Sequence, residues 1–247
     1  MSSNNFERLN ALRNKILLPS VFLFVAAEYV FAILAQTAKD AVWNISSFSS
    51  IVLVTLFFAL FFEKSYDYLF TQLALVFTVA ADYFLVLNDA EQKLPAMVCF
   101  TLVQLFYLVR IHVNLSGKRA RLVHLATRCS AGVLAIALTL LVLGNGADAL
   151  AVISVFYYSM LITNIIFAFM LRPACPVFAI GLLLFLGCDT FVGLGMIDEY
   201  LPVAEGSVLY YLAHPPINMA WLFYTPSQTL LGLSLLGKRF AITKKEK

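Results

Sequence analysis

Two carboxylates sit where a membrane tolerates them poorly. Asp82 lies within "FTVAADYFLVL" and Asp189 within "LLFLGCDTFVGL", each inside an apolar run. An aspartate at bilayer depth costs roughly 2.5–3.5 kcal/mol on insertion scales. Two carboxyl groups buried close together do not both ionise readily, so one stays charged while the other keeps its proton. Such a pair supplies a general acid and a general base. It is also what a proton-coupled transporter uses. The plain alternative is a carboxyl that only hydrogen-bonds a neighbouring helix, and two aspartates in matched contexts favour function over it. Glu28 is a third acid at membrane depth. It is either a further site carboxylate or a partner for a Ser, Asn or Tyr on an adjacent helix.

Amides and phenols accompany these acids. Gln104 and Tyr107 are three residues apart on one helix face, and Tyr224 and Gln228 are four apart on another. Both pairs can point into one interior, where they would orient a headgroup or a water, or else bond between helices. Asn164, Tyr157 and Tyr158 are further interior candidates. Ser46, Ser47, Ser49 and Ser50 read as an interfacial cap rather than as nucleophiles.

Several chemistries are disfavoured. His112 and His124 fall at one side of the membrane and His214 at the other, so a three-His zinc site is not expected. No lysine lies within an apolar segment, which excludes a retinal Schiff base. There is no Gly-x-Ser-x-Gly elbow, P-loop or Rossmann fingerprint. No metal and no cofactor is implied. Cys99, Cys129, Cys175 and Cys188 form no Cys-x-x-Cys pair and are expected to pack as small apolar residues.

The elements that must position these residues are legible from composition. The 247 residues are 62% hydrophobic and 13% charged, with mean hydropathy +0.88. A soluble domain is nearer ~45–50% apolar and ~25% charged. Cutting the chain at its charges and prolines leaves continuous apolar segments, each about long enough to cross ~30 Å of hydrocarbon as a helix. Continuous rather than alternating hydrophobicity selects helices over a β-barrel. The reading is an all-α, polytopic membrane bundle, a single domain over 1–247. Its eight spans fall at roughly 17–36, 47–62, 69–88, 94–112, 122–143, 149–171, 176–196 and 216–236. "GNGAD" makes a tight turn between spans five and six. "HPP" at 214–216 is a turn that leads into span eight.

Charge sets the orientation. With the N-terminus in the cytoplasm, 15 of the 17 Lys and Arg fall inside, leaving Lys39 and Lys93 outside. Asp40, Asp89, Glu91, Asp148, Asp198, Glu199 and Glu205 then lie outside. Both termini are expected in the cytoplasm, no cleavable signal peptide is seen, and a bacterial inner membrane suits the pattern. The net charge of +3 gives no reason to expect a nucleic-acid partner. Spans three and seven both run outward, so Asp82 and Asp189 should share a depth in the outer half.

The two aspartate segments also echo each other. Small residues precede each acid (Ala80-Ala81, Gly187-Cys188) and a Phe follows two positions later. Phe100–Gln104 in span four parallels Tyr224–Gln228 in span eight. Two four-helix halves would produce such echoes. The small residues would let spans three and seven face each other.

These pieces resemble a known family. "AADYFLVL", "FTLVQLFY", "GLLLFLGCDTFVGL" and "YTPSQTLLGLS" are similar in order to motifs of the YhhN-like lysoplasmalogenases, eight-helix membrane proteins. The resemblance implies hydrolysis of the vinyl ether of lysoplasmalogens to a fatty aldehyde and a glycerophospho-base. It makes Asp82 and Asp189 the suspected catalytic pair. The chain departs in two places: Gln104 stands where the family usually has His, and span two reads "NISSFSS" in place of a Lys-Pro start. The leading expectation is therefore a lipid hydrolase with a membrane lipid or lysophospholipid as substrate. Gln104, Tyr107, Tyr224, Gln228 and Glu28 would surround it. A proton-coupled transporter and a non-catalytic relative sharing the fold are the alternatives, and the oligomeric state stays open.

Overall fold

The computed structural model describes residues 3–61, 63–88, 92–171 and 176–236, with side chains described from Leu17 onward. Asp89, Glu91, Arg172, Cys175 and the basic residues from Lys238 to Lys247 lie outside the described residues, as do the side chains of Arg8, Arg13 and Lys15. Every regular element among the described residues is helical: α1 (Ser3–Thr37), α2 (Asp40–Ala59), α3 (Tyr66–Asp82), α4 (Lys93–Asn114), α5 (Lys118–Leu143), α6 (Ala149–Met170), α7 (Pro176–Gly195), α8 (Val208–Ala213) and α9 (Met219–Leu233).

Seven described segments are long and apolar enough to cross a membrane: Leu17–Thr37, Asp40–Ala59, Tyr66–Leu87, Lys93–Asn114, Lys118–Gly146, Ala149–Met170 and Pro176–Gly195. This is a multi-pass membrane protein. The eighth expected span is α9, with 15 residues. That makes about 22 Å of helix, short of a ~30 Å hydrocarbon core. Backbone groups satisfied inside each helix are the condition for crossing lipid at all. The outer faces complete the fit, with Phe22, Leu134, Leu141 and Met170 exposed where lipid tails would lie.

The first and last connections differ from expectation. α2 begins at Asp40, about two turns before the predicted start, so the serines do not cap it. Ser46, Ser47 and Ser50 are buried within the helix. Two of the hydroxyls bond internally, Ser46 to the Trp43 carbonyl at 3.1 Å and Ser50 to Glu28 at 2.6 Å. The connection 197–215 holds a short helix, α8, and Asn218 caps α9 by accepting from Trp221 N at 3.2 Å. Gln36 ties the end of α1 to this cap through paired bonds with the Asn218 backbone, at 2.8 and 2.9 Å. The Gly144–Gly146 turn does join α5 to α6, with Asp148 accepting from Ala151 N at 2.7 Å.

Helices pack mainly as neighbours: α7 on α9, α3 on α4, α4 on α6 and α5 on α6. α3 and α7 are not among the closely packed pairs. The small residues near each aspartate serve other partners, since Gly187 seats the Phe223 ring of α9. Glycine brings α7 and α9 together at Gly181, whose carbonyl accepts from Ser227 at 2.8 Å. A Cβ there would stand 3.1 Å from the Leu231 backbone nitrogen.

Gly232 is the tightest glycine among the described residues. A Cβ on it would overlap the ring of Phe58, which is fully buried. That ring cannot swing away, because Phe24 and Phe57 pack on it with centroids at 5.3 and 5.1 Å. Gly232→Ala is expected to lower folding stability by about 2 kcal/mol, the range of overpacking in a filled core. Thermal unfolding in detergent measures it. Adding Phe58→Leu should return most of the loss; if it does not, the ring is not what the methyl strikes.

Candidate active site

One apolar cavity collects most of the chemistry. It measures about 580 Å³ and is lined from α2, α3, α4, α6, α7 and α9. Its walls come from the same end of every helix: Trp43 near the start of α2, Met97 near the start of α4, Ser154 and Tyr158 early in α6, Gly193 late in α7 and Ala220 at the start of α9. That end carries the acidic connections of the sequence, and the basic residues gather at the other.

Asp82 and Asp189 both line it, so the two carboxyls share one chamber without direct packing between their helices. Asp82 is the last residue of regular α-helix in its span. The backbone then widens into a π-helical turn, Tyr83–Leu87. Such turns insert a residue into the helical register and recur at functional sites. Here the widened turn brings Leu85 and Val86 into the cavity wall.

Each carboxyl has its own phenol. Tyr224 of α9 donates to Asp82 Oδ2 at 2.6 Å, and Tyr157 of α6 donates to Asp189 Oδ2. The Cys188 thiol also contacts Asp189. Phe100, which parallels Tyr224 in the echoing segments, lines the cavity too but has no hydroxyl. Asp189 therefore draws its donor from α6 instead. Next to it Tyr158 and Thr190 share a hydroxyl–hydroxyl bond of 2.7 Å on the wall.

The remaining sequence candidates lie elsewhere. Gln104 is fully buried one layer behind, where Asn164 donates to its side-chain and backbone oxygens at 2.7 and 3.1 Å. Its amide also approaches the Tyr157 hydroxyl. Tyr107 and Gln228 are fully buried, and their polar side-chain atoms have no hydrogen-bond partner among the described residues. Glu28 is held by Ser50 between α1 and α2. None of these four lines the cavity.

Sequence reasoning missed two groups. Trp43 and Trp221 line the chamber and meet edge to face at 5.8 Å, while Trp221 meets Tyr224 at 5.1 Å. Isolated aromatics in apolar segments carry no pattern that marks them. Arg128 was counted among inner-side charges, yet it is buried within α5. It donates to His124 Nε2 at 2.9 Å, Thr163 at 3.2 Å and Asn164 at 2.6 Å. A chain of hydrogen-bonded side chains thus runs from Arg128 through Asn164 to Gln104, one layer behind Tyr157 and Asp189. His112 and His124 meet at 3.3 Å at its far end. Among the described residues no cluster of His, Cys, Asp and Glu is arranged to hold a metal ion.

The fold and cavity define a class: a multi-pass helical membrane protein with two carboxyls, each paired with a phenol, in one lipid-sized chamber. The match is more specific than that. Residues 45–235 fit the model of the YhhN family, and the chain belongs to that family. No curated protein and no solved structure matches it.

Proposed function

We propose that this YhhN-family protein is a membrane ether-lipid hydrolase of lysoplasmalogenase type, with Asp82 and Asp189 as its acid and base. The observation that carries the reading is the placement of both carboxyls in one apolar chamber. Hydrolysis of a vinyl ether begins when a proton is delivered to the carbon remote from oxygen. A carboxylic acid in a chamber of this kind can supply it. Positive charge then develops on the carbon attached to oxygen, and the second, ionised carboxylate stabilises it. That carboxylate also takes a proton from the attacking water. The hemiacetal collapses to a fatty aldehyde and a free alcohol, so one water is consumed and no oxidant or metal is needed. Tyr157 and Tyr224 fix the two carboxyls in place.

Gln104, where the family usually has His, bears on this reading only indirectly, because it stands behind the wall and holds Asn164. A chamber at the acidic end of the bundle, with cationic residues at the other, supports an outward-facing site and cytoplasmic termini.

The experiment is aldehyde release from a lysoplasmalogen by detergent-purified protein. No release under any condition would defeat the proposal. Tyr157→Phe and Tyr224→Phe are each expected to lower kcat about 10-fold with little change in KM, since a phenol that only orients a carboxyl contributes at the low end of acid–base effects. Unchanged kcat in both would show that the phenols do not position the acids.

A further inference from the structure

A second set of polar groups lies directly behind the chamber. Gln104 and Tyr107 are fully buried on α4, and Thr225 and Gln228 are buried on α9. Among the described residues, the Gln104 Nε2, the hydroxyls of Tyr107 and Thr225 and both polar atoms of the Gln228 amide have no hydrogen-bond partner. Buried polar groups are nearly always satisfied, by protein or by ordered water, because a dry and unpartnered one is costly. Thr55, Thr71 and Thr78 show the usual solution in this bundle. Each donates to the carbonyl four residues back in its own helix. The Thr225 hydroxyl does not.

The four side chains stand in one layer. α4 and α9 are not among the closely packed helix pairs, and long side chains bridge the space between them. Phe185 of α7 meets both Phe100 and Tyr224, with ring centroids at 6.0 and 5.8 Å. Further in, Arg110 donates to Ser234 at 2.8 Å. Phe100 to Arg110 and Tyr224 to Ser234 are equal intervals of sequence, so the two helices descend in step. Gln104 lies one turn inward from Phe100, and Gln228 one turn inward from Tyr224. Phe100 and Tyr224 both line the chamber, so the layer starts where the chamber ends. Gln104 also stands near the Tyr157 hydroxyl, which bonds Asp189, without closing a hydrogen bond to it.

We propose that Gln104, Tyr107, Thr225 and Gln228 hold an internal water cluster that supplies the water consumed in the chamber. A buried water takes about two to four polar partners, and this layer offers amide N–H groups, hydroxyls and an amide carbonyl. The role, though not the site, rests on the hydrolase reading. A lipid seated in an apolar chamber displaces bulk water from it, yet each turnover needs one water beside the carboxylate that acts as base. A molecule drawn from the layer passes Tyr157 or Tyr224 and arrives at Asp189 or Asp82. Its oxygen bonds the carbon attached to the ether oxygen. One of its protons goes to the carboxylate, and the other remains on the hemiacetal hydroxyl. The four side chains are positioning residues, which hold the nucleophile in reserve and do not touch the lipid.

X-ray radiolysis of the full chain, in detergent made up in heavy-oxygen water, tests the site without catalysis. Hydroxyl radicals formed from bound water oxidise the side chains beside it, and mass spectrometry reads the label. Tyr107 is expected to gain label roughly ten-fold faster than Phe58, which is equally buried but packed among aromatic rings. Equal rates overturn the inference. Gln228→Met keeps the length of the side chain and removes its polar end. It is expected to slow Tyr107 labelling several-fold and to lower kcat for a lysoplasmalogen roughly ten-fold at unchanged KM. Its unfolding midpoint should not rise, since removing a dry, unpartnered amide stabilises a core and removing a water-bonded one does not. A raised midpoint, or wild-type kcat, overturns the inference. Tyr107→Phe deletes one oxygen and leaves the ring, and it gives the same kcat and midpoint comparison should Gln228→Met fail to fold. Labelled Tyr107 with no aldehyde release by the wild type would defeat the hydrolase reading and leave the water site standing. Aldehyde release with Tyr107 unlabelled would do the reverse.

Discussion

Asp82→Asn and Asp189→Asn each lower aldehyde release by roughly 10³-fold, within the range of removing one positioned acid or base. The substitution suits the test because it changes little else. The amide keeps the size of the carboxyl, and its oxygen still accepts from Tyr224 or Tyr157. Neither variant should lose stability for want of a hydrogen bond; loss of the buried acid removes a desolvation cost. The two residues act as one unit, so the double variant should fall little below either single one. Turnover is read by trapping the aldehyde, and integrity by size-exclusion behaviour and thermal unfolding of the same preparations. Wild-type turnover in both single variants would end the acid–base mechanism. Failure of both to fold would point instead to acids that lock helices. In that case Asp82→Glu and Asp189→Glu, which retain the carboxyl, should recover folding without full activity.

The sequence disclosed the helices because lipid imposes one rule on all of them: a long apolar segment with internally bonded backbone. Spans three, four, six and seven match α3 with its π-turn, α4, α6 and α7 to within a few residues, whereas α1 starts well before span one. The second span was misjudged at its start for a physical reason. Serine is small enough to pack inside a helix and can bond to a carbonyl of its own turn or to a neighbour, so "SSFSS" reads as polar while being buried. The acids were conspicuous because their cost at bilayer depth is high. Their neighbours were not. Nothing local distinguishes Tyr157, which bonds Asp189, from Tyr107, which sits fully buried away from the cavity. The difference depends on which helices are adjacent, and a single sequence holds no record of pairing. The same gap concealed Arg110 and Arg128, whose positions near segment ends suggested solvent. Their length and planar heads let them reach acceptors inside the bundle.

Arg110→Ala is expected to remove about 3 kcal/mol of stability, toward the lower end for breaking a buried ion pair, because the Asp67 side chain remains 21% exposed. Arg110 belongs to α4 but fastens three other helices. Its Nε and one terminal nitrogen grip both Asp67 oxygens of α3, at 2.9 and 3.3 Å. The other terminal nitrogen donates to Ser234, just beyond α9, at 2.8 Å. The guanidinium lies 4.0 Å from the centroid of the Phe178 ring in α7. Alanine leaves Asp67 with Asn114 at 3.2 Å as its remaining described side-chain partner. On the scaling for chains of this size, the unfolding midpoint should fall by about 10 °C. Arg110→Lys should recover only a small part, since an ammonium cannot form the two-point grip or stack on the ring. The site of this damage is the basic end of the bundle, opposite the chamber. Aldehyde release measured well below the lowered midpoint should therefore stay within about two-fold of wild type. The aspartate variants show the opposite pattern, stable and inactive. An Arg110→Ala protein that is stable but inactive would mean that the far end of the bundle controls the chamber, which the separation of the two sets of contacts does not allow.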